Sequence, residues 1–109
     1  MSLDNPKIVD AVGIDKTTGE AMLTIADSWD WSDETKHLLS LQEKLNSYFA
    51  FIETGEIYDS YPQANGRKLV IEIIGKYLFP ANALMFLEKA RESAAILKTE
   101  IKIRYYPGS

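Results

Sequence analysis

Hydrophobic and polar positions alternate in four short segments of the chain, a period-two pattern that is typical of β-strands. The predicted strands are residues 7–14, 21–27, 67–77 and 100–106. Turn residues at 15–20, including Gly19, connect the first two segments and predict a hairpin. The third segment is apolar on both of its sides, which predicts a central strand that is covered on both faces.

Two longer segments instead repeat their apolar positions at steps of three and four, which predicts amphipathic helices. The first helix is expected to take Ser32 as its N-cap and to stop at Gly55, a length of about 22 residues. The second is expected to begin after Pro80 and to run to Leu97. Residues 56–66, between the first helix and the third strand, are predicted to form a long irregular loop.

The predicted element order is ββαβαβ within one α+β domain that spans residues 1–109. Four strands cannot bury a sheet alone, so we expect a two-layer sandwich in which both helices cover one face of a four-stranded mixed sheet. The strands leave apolar residues on the second face as well. We therefore expect a homodimer that forms through the sheet.

The composition narrows the class of protein. The 109 residues include no cysteine, so disulfides and thiolate chemistry are excluded, and the first residues have no apolar segment of the kind found in secretory signals. Residues 1–66 carry 12 acids and four lysines, whereas residues 67–109 carry eight basic residues and four acids. We expect a cytosolic protein without a membrane span or cofactor, and the net charge of −4 argues against nucleic-acid binding.

The segment 27–34 is the most unusual part of the sequence, because Trp29 and Trp31 flank Asp30 among further acids. The tryptophans could close one end of the core or bind a partner, and the carboxylates could hold a divalent cation, although their spacing fits no calcium loop. His37 is the single histidine. With Asp27 and Asp30 it defines the alternative hypothesis, a small hydrolase or metal-dependent enzyme with an acidic site beside the first helix.

Other candidate contact residues lie on surfaces where apolar side chains are not expected. Phe51 falls off the apolar stripe of the first helix, and Tyr58 and Tyr61 lie in the long loop. On the second helix Met85 and Ile96 share a stripe away from the main face. The basic residues Lys76, Lys102 and Arg104 could form an RNA-binding platform, a weaker hypothesis because few aromatic residues accompany them.

Three segments carry a resemblance to a known family: Leu3–Pro6 with Val9–Asp15, Asp30–Glu34, and Phe51–Tyr58 with Tyr61-Pro62. Together they resemble a family of small bacterial proteins that is described only as a domain of unknown function. The resemblance implies a bacterial cytosolic protein and supplies no catalytic residues. We expect a non-enzymatic interaction module, such as an adaptor, a regulator or an immunity-type protein, with Trp29, Trp31, Phe51, Tyr58 and Tyr61 as contact residues.

Overall fold

The computed structural model describes residue 3 and residues 5–107. Its strands are β1 (Ala11–Ile14), β2 (Ala21–Asp27), β3 (Leu69–Gly75) and β4 (Thr99–Tyr105), and its helices are α1 (Glu34–Glu53), α2 (Glu56–Ser60) and α3 (Ala81–Ile96). The α+β class and the mixed four-stranded sheet are thus confirmed. The predicted strand at 7–14 begins too early, because residues 5–10 precede β1 and are held by side chains instead of a strand partner.

The strands are ordered β1-β2-β3-β4, so neighbours in the chain are also neighbours in the sheet. The hairpin between β1 and β2 is antiparallel, as predicted, and Gly19 takes a positive φ of 76° in its turn. The pairs β2–β3 and β3–β4 are parallel. Helices α1 and α3 lie in the two crossover connections, which place the carboxyl ends of three strands side by side at one edge of the molecule.

The core lies between the two long helices and one face of the sheet. Alternate residues of β2 and β3, among them Leu23, Ile25, Ile71 and Ile73, are fully buried. Residues of both helices belong to the same cluster: Leu41, Leu45, Tyr48, Ile52, Leu87, Ala90 and Ala94. This arrangement confirms that both helices cover one face.

Helix α1 begins one residue later than predicted. Its N-cap is Asp33, whose Oδ1 accepts a hydrogen bond from the backbone amide of Lys36 at 3.1 Å. Ser32, the predicted cap, instead donates its hydroxyl to Asp30 Oδ1 at 2.6 Å. The helix ends where expected, because Gly55 takes a left-handed φ of 80° directly after the C-cap.

The connection at 56–66 is not the irregular loop that was predicted. It contains the short helix α2 and a 3₁₀ turn at Pro62–Ala64. Ile57 and Ala64 are fully buried in the core, so the connection is fixed to the body of the protein.

The second face of the sheet carries charge pairs above a few apolar residues. Lys68 Nζ lies 3.2 Å from Glu100 Oε1, Lys102 Nζ lies 3.6 Å from Glu20 Oε1, and Arg104 contacts Glu72 at 3.8 Å. Val70, on the same face, is fully buried. These charge pairs lie on the face that the sequence pattern assigned to a subunit interface, and that assignment stays a prediction.

The segment 5–10 is attached to α1 by a buried lysine. Lys44 is fully buried, and its Nζ donates to the carbonyl oxygens of Asn5 (2.9 Å) and Ile8 (2.5 Å). The same atom lies 2.7 Å from Asp10 Oδ2. Of the helices in the described part of the chain, none is long and apolar enough to cross a membrane.

Candidate functional site

The carboxyl ends of β2, β3 and β4 form the edge at which the unusual residues of the sequence meet. Asp27, Gly75 and Tyr105 are the last residues of these strands and lie in register with one another. In open sheets with parallel strands, ligands and partners commonly bind at this edge, because loops and helix starts converge there.

Asp27 and His37 form a buried polar pair at this edge. His37 Nε2 lies 2.6 Å from Asp27 Oδ2, and the two side chains are 0% and 1% exposed. The second ring nitrogen, Nδ1, lies 2.9 Å from the carbonyl oxygen of Asp30. A carbonyl oxygen only accepts, so Nδ1 carries a hydrogen. The contact between His37 Nε2 and Asp27 Oδ2 therefore holds one proton, which the two side chains share.

Burial raises the pKa of Asp27 above its ordinary value, although the contacts with His37 and the backbone amide of Trp29 act in the opposite direction. Asp30 behaves differently, since its carboxylate is exposed. Hydrogen bonds from Ser32 hold the pKa of Asp30 below its usual range. The two aspartates that the sequence grouped together thus have opposite environments.

The tryptophans enclose the histidine. Trp31 stacks on the imidazole of His37, with ring centroids 3.5 Å apart and planes inclined by 12°. Trp29 approaches the same ring edge-on at 5.6 Å, and Phe79 contacts Trp31 at 5.2 Å. Trp31 Nε1 is buried and has no hydrogen-bond partner among the described residues. Trp29 packs against the hydrophobic core and Trp31 covers His37, so the two tryptophans close this end of the core.

The structure brings Asp27, Asp30 and His37 together, as the enzyme hypothesis requires. Both nitrogens of His37 are nevertheless engaged by protein oxygens, so neither is free to activate a nucleophile or to bind a metal. A hollow of about 330 Å³ beside the ring is lined by Trp29, Asp30, Ser32, Asp33, Lys36 and His37. The described residues contain no group of three potential metal ligands.

A second hollow at the same edge is apolar. It has a volume of about 180 Å³, and Tyr77, Leu78, Leu84 and Tyr105 are among the residues that line it. These four side chains, here called the apolar end, are 41%, 72%, 45% and 49% exposed. Sequence reasoning missed this surface. The signal was the run Tyr77-Leu78-Phe79-Pro80, four nonpolar or aromatic residues in a connection between a strand and a helix.

The other predicted contact residues lie at the opposite end of α1, about 30 Å away for a helix of 20 residues. Phe51 is buried against Tyr61, so its predicted position off the packed face is wrong. Phe51 and Tyr61 line a groove of about 460 Å³ together with Lys7 and Val9. Tyr58 is exposed on α2. The five predicted residues therefore do not form one site.

The fold and this edge define a small α+β protein with an open mixed sheet and aromatic residues at the carboxyl ends of its parallel strands. Within that class, the chain belongs to DUF6572, a family of unknown function whose model matches residues 1–107. This match confirms the predicted resemblance to a family of unknown function. No curated protein and no solved structure matches the chain.

Proposed function

We propose that this protein is a non-enzymatic protein-interaction module and that the apolar end is its contact surface. The observation that carries the proposal is the clustering of Tyr77, Leu78, Leu84 and Tyr105 around one hollow, with Leu78 72% exposed. Scattered exposed apolar residues are ordinary, whereas a cluster that lines a concavity is typical of a binding surface. Tyrosine at its margin is a favoured anchor residue in protein interfaces.

The rest of the edge favours a rigid contact surface. The stack of Trp31 on His37 and the contact of Trp31 with Phe79 connect the start of α1 to the loop that carries Tyr77 and Leu78. Phe79 also packs directly on Gly75, the last residue of β3. A loop that is fixed at both of these points loses little conformational entropy when it binds a partner.

Affinity capture from a lysate of the host organism tests the proposal, with Leu78→Asp as the disrupting variant. Ile96→Asp is the matched control. Ile96 is 82% exposed and, like Leu78, lies between β3 and β4, but it is at the far end of α3 and away from the apolar end. We expect wild type and Ile96→Asp to retain a stoichiometric partner protein and Leu78→Asp to lose it. An apolar contact should keep that partner at high salt. Equal recovery by both variants would contradict the assignment.

The five residues predicted from sequence can be tested in the same assay. Trp29 and Trp31 lie next to the apolar end, whereas Phe51 lies at the other end of α1, and Tyr58 and Tyr61 follow it. If the groove beside Phe51 and Tyr61 is the contact surface instead, combined alanine substitution of Phe51, Tyr58 and Tyr61 abolishes capture while Leu78→Asp leaves it intact.

The alternative function, a small hydrolase or metal-dependent enzyme, rests only on the proximity of Asp27, Asp30 and His37, because the 2.6 Å contact with Asp27 occupies His37 Nε2. A thermal-shift screen with divalent metal ions separates it from the interaction module. Stabilisation by a metal ion that is lost in Asp30→Asn would support the alternative. An unchanged melting temperature with every ion tested would count against it.

A further inference from the structure

The outer side of β4 is an edge at which the described residues place no further strand. The direction of its backbone groups follows from two hydrogen bonds. Tyr106 N donates to Gly75 O of β3 at 2.8 Å, whereas Ile101 O accepts from Arg91 Nε at 3.3 Å on the other side. Backbone groups alternate between the two sides of a strand. The amide and carbonyl groups of Ile101, Ile103 and Tyr105 therefore point outward.

A row of side chains on α3 runs along this edge. Leu84, Glu88, Arg91 and Ala95 are separated by steps of four, three and four, so they share one helix face. Leu84 lies beside Ile103 and Tyr105 in one hollow, and Arg91 and Ala95 lie beside Thr99 and Ile101 in another. The row is exposed next to β4 along most of the length of the strand.

We infer that β4 pairs in antiparallel fashion with β4 of a second copy of this chain, with Lys102 on the two-fold axis. In this register Ile101 lies opposite Ile103 of the second copy, and their outward backbone groups form the ladder. The carbonyl oxygen of Ile101, which accepts from Arg91 Nε at 3.3 Å, then accepts from the amide of Ile103 with its second lone pair. Glu100 then lies opposite Arg104 of the second copy, an opposite-charge pair that occurs twice. The sheet becomes a continuous sheet of eight strands.

Charge selects this register over one that is shifted by two residues toward Tyr105. The shifted register sets Lys102 opposite Arg104 of the second copy, and like charges directly opposite each other destabilise a sheet. In the inferred register the two Lys102 side chains do meet at the axis. Each of them, however, lies 3.6 Å from a carboxylate oxygen of Glu20 in its own copy, which offsets their repulsion.

The row on α3 is self-complementary about the same axis. Residues rise about 3.3 Å along a strand and about 1.5 Å along a helix. Arg91 lies beside Ile101, and the axis at Lys102 is one strand residue further along. One strand residue corresponds to about two helix residues, so the axis crosses α3 about two residues from Arg91 toward Leu84. This point is the middle of the row. Glu88 then meets Arg91 of the second copy, and Leu84 meets Ala95. The intrachain pair of Glu88 and Arg91 extends into a ring of four charges.

This inference goes beyond the proposed function, because a self-association edge does not require Tyr77 or Leu78. Leu84 and Tyr105 border both surfaces, so neither is used to test it. The two proposals are separated by Leu78→Asp, which should lose the captured partner and keep the dimer.

Sedimentation equilibrium over a wide range of concentrations gives the first test. The chain has a mass of 12.3 kDa, and we expect wild type to have twice that mass. Glu100→Arg alone and Arg104→Glu alone each place like charges opposite each other and should shift the equilibrium toward monomer. The double variant restores opposite charges and should restore the dimer. A wild-type monomer at every concentration, or single variants that dimerise like wild type, would overturn the inference.

A cysteine cross-link at Lys102 tests the register with Glu100 and Arg104 both in place. The natural sequence has no cysteine, so the only protein thiol with which a single introduced cysteine can form a disulfide is its counterpart in another copy, whereas a mixed disulfide with glutathione leaves the chain monomeric. At Lys102 the two Cα atoms would form a non-hydrogen-bonded pair about 4.5 Å apart, within the range of a disulfide. With oxidised glutathione as oxidant, Lys102→Cys should give a covalent dimer and the matched Arg104→Cys should not. Equal cross-linking of both, or of neither, would contradict the register.

Discussion

His37 Nε2 lies 2.6 Å from Asp27 Oδ2 in a part of the core where neither side chain reaches solvent. The carboxyl group lies at the end of β2 and the imidazole in the first turns of α1, so this contact fixes the start of the helix against the sheet. Since Nδ1 donates to Asp30 O, the pair also fixes the path of the intervening segment. Trp31 stacks on the ring and shields the shared proton from water.

Replacing His37 by leucine should strongly destabilise the fold. The substitution removes the partner of Asp27 and leaves a buried carboxyl group unpaired, a change that typically costs about 3–5 kcal/mol. Chemical denaturation followed by tryptophan fluorescence measures the loss in free energy of unfolding. The double variant Asp27→Leu/His37→Leu should lose less than the sum of the single variants, because the buried carboxyl group and its imidazole partner are removed together. Additive losses would show that the contact contributes nothing specific.

The titration of Asp27 should be visible in the pH dependence of the free energy of unfolding. Burial raises its pKa in the folded protein above the ordinary value of 3.8, so the folded chain keeps this proton at pH values where the unfolded chain has released it. The stability that Asp27 contributes is therefore complete below about pH 3.8 and falls as the pH rises through the folded pKa.

The matched comparison for this pH dependence is Asp27→Asn, which keeps the shape of the protonated side chain but cannot titrate. We expect wild type to lose free energy of unfolding relative to Asp27→Asn as the pH rises, by about 1.4 kcal/mol for each unit of the pKa shift. Denaturation curves of both proteins over the acidic and neutral range give the difference. A difference that does not vary with pH would rule out this titration.

The elements of the fold could be predicted from sequence because their periodicity is local. β2 was placed correctly at residues 21–27, and α3 begins directly after Pro80. Strand order and the parallel pairing of β2 with β3 depend on contacts between distant residues. A single sequence contains no local signal for them.

In the candidate site, too, local features could be predicted and contacts between distant residues could not. The tryptophans and His37 were recognised as unusual, but nothing in their spacing indicates that Asp27 meets His37 ten residues later. Phe51 was placed off the apolar stripe of α1, on the same side of the helix as Lys44. Both are buried, because the segment 5–10 covers Lys44 and Tyr61 covers Phe51. The second packed face of α1 is made by segments without periodicity, which is why the pattern missed it.

Lys44→Met should release the segment that precedes β1. The apolar side chain fills similar space but leaves the carbonyl oxygens of Asn5 and Ile8 without their buried donor. We expect a loss of about 2–4 kcal/mol and faster cleavage by trypsin after Lys7, because the segment is no longer fixed to α1. Cleavage after Lys16, in the exposed turn of the hairpin, provides the internal reference and should change less. An unchanged ratio of the two cleavage rates would contradict this function of Lys44.

Gly75 is the position at which the site is most sensitive to one added carbon. A Cβ atom there would lie 2.5 Å from Phe79 Cε1, so the ring must shift, which disturbs its edge contact with Trp31. We expect Gly75→Ala to cost about 1–3 kcal/mol and to change the fluorescence of the folded protein. Gly13→Ala is the control, because a Cβ on β1 meets no described atom within 4 Å. That variant should be neutral or gain up to about 1 kcal/mol, as the unfolded chain becomes less flexible. Equal stabilities for the two variants would show that close packing of Phe79 on β3 is not required at this edge.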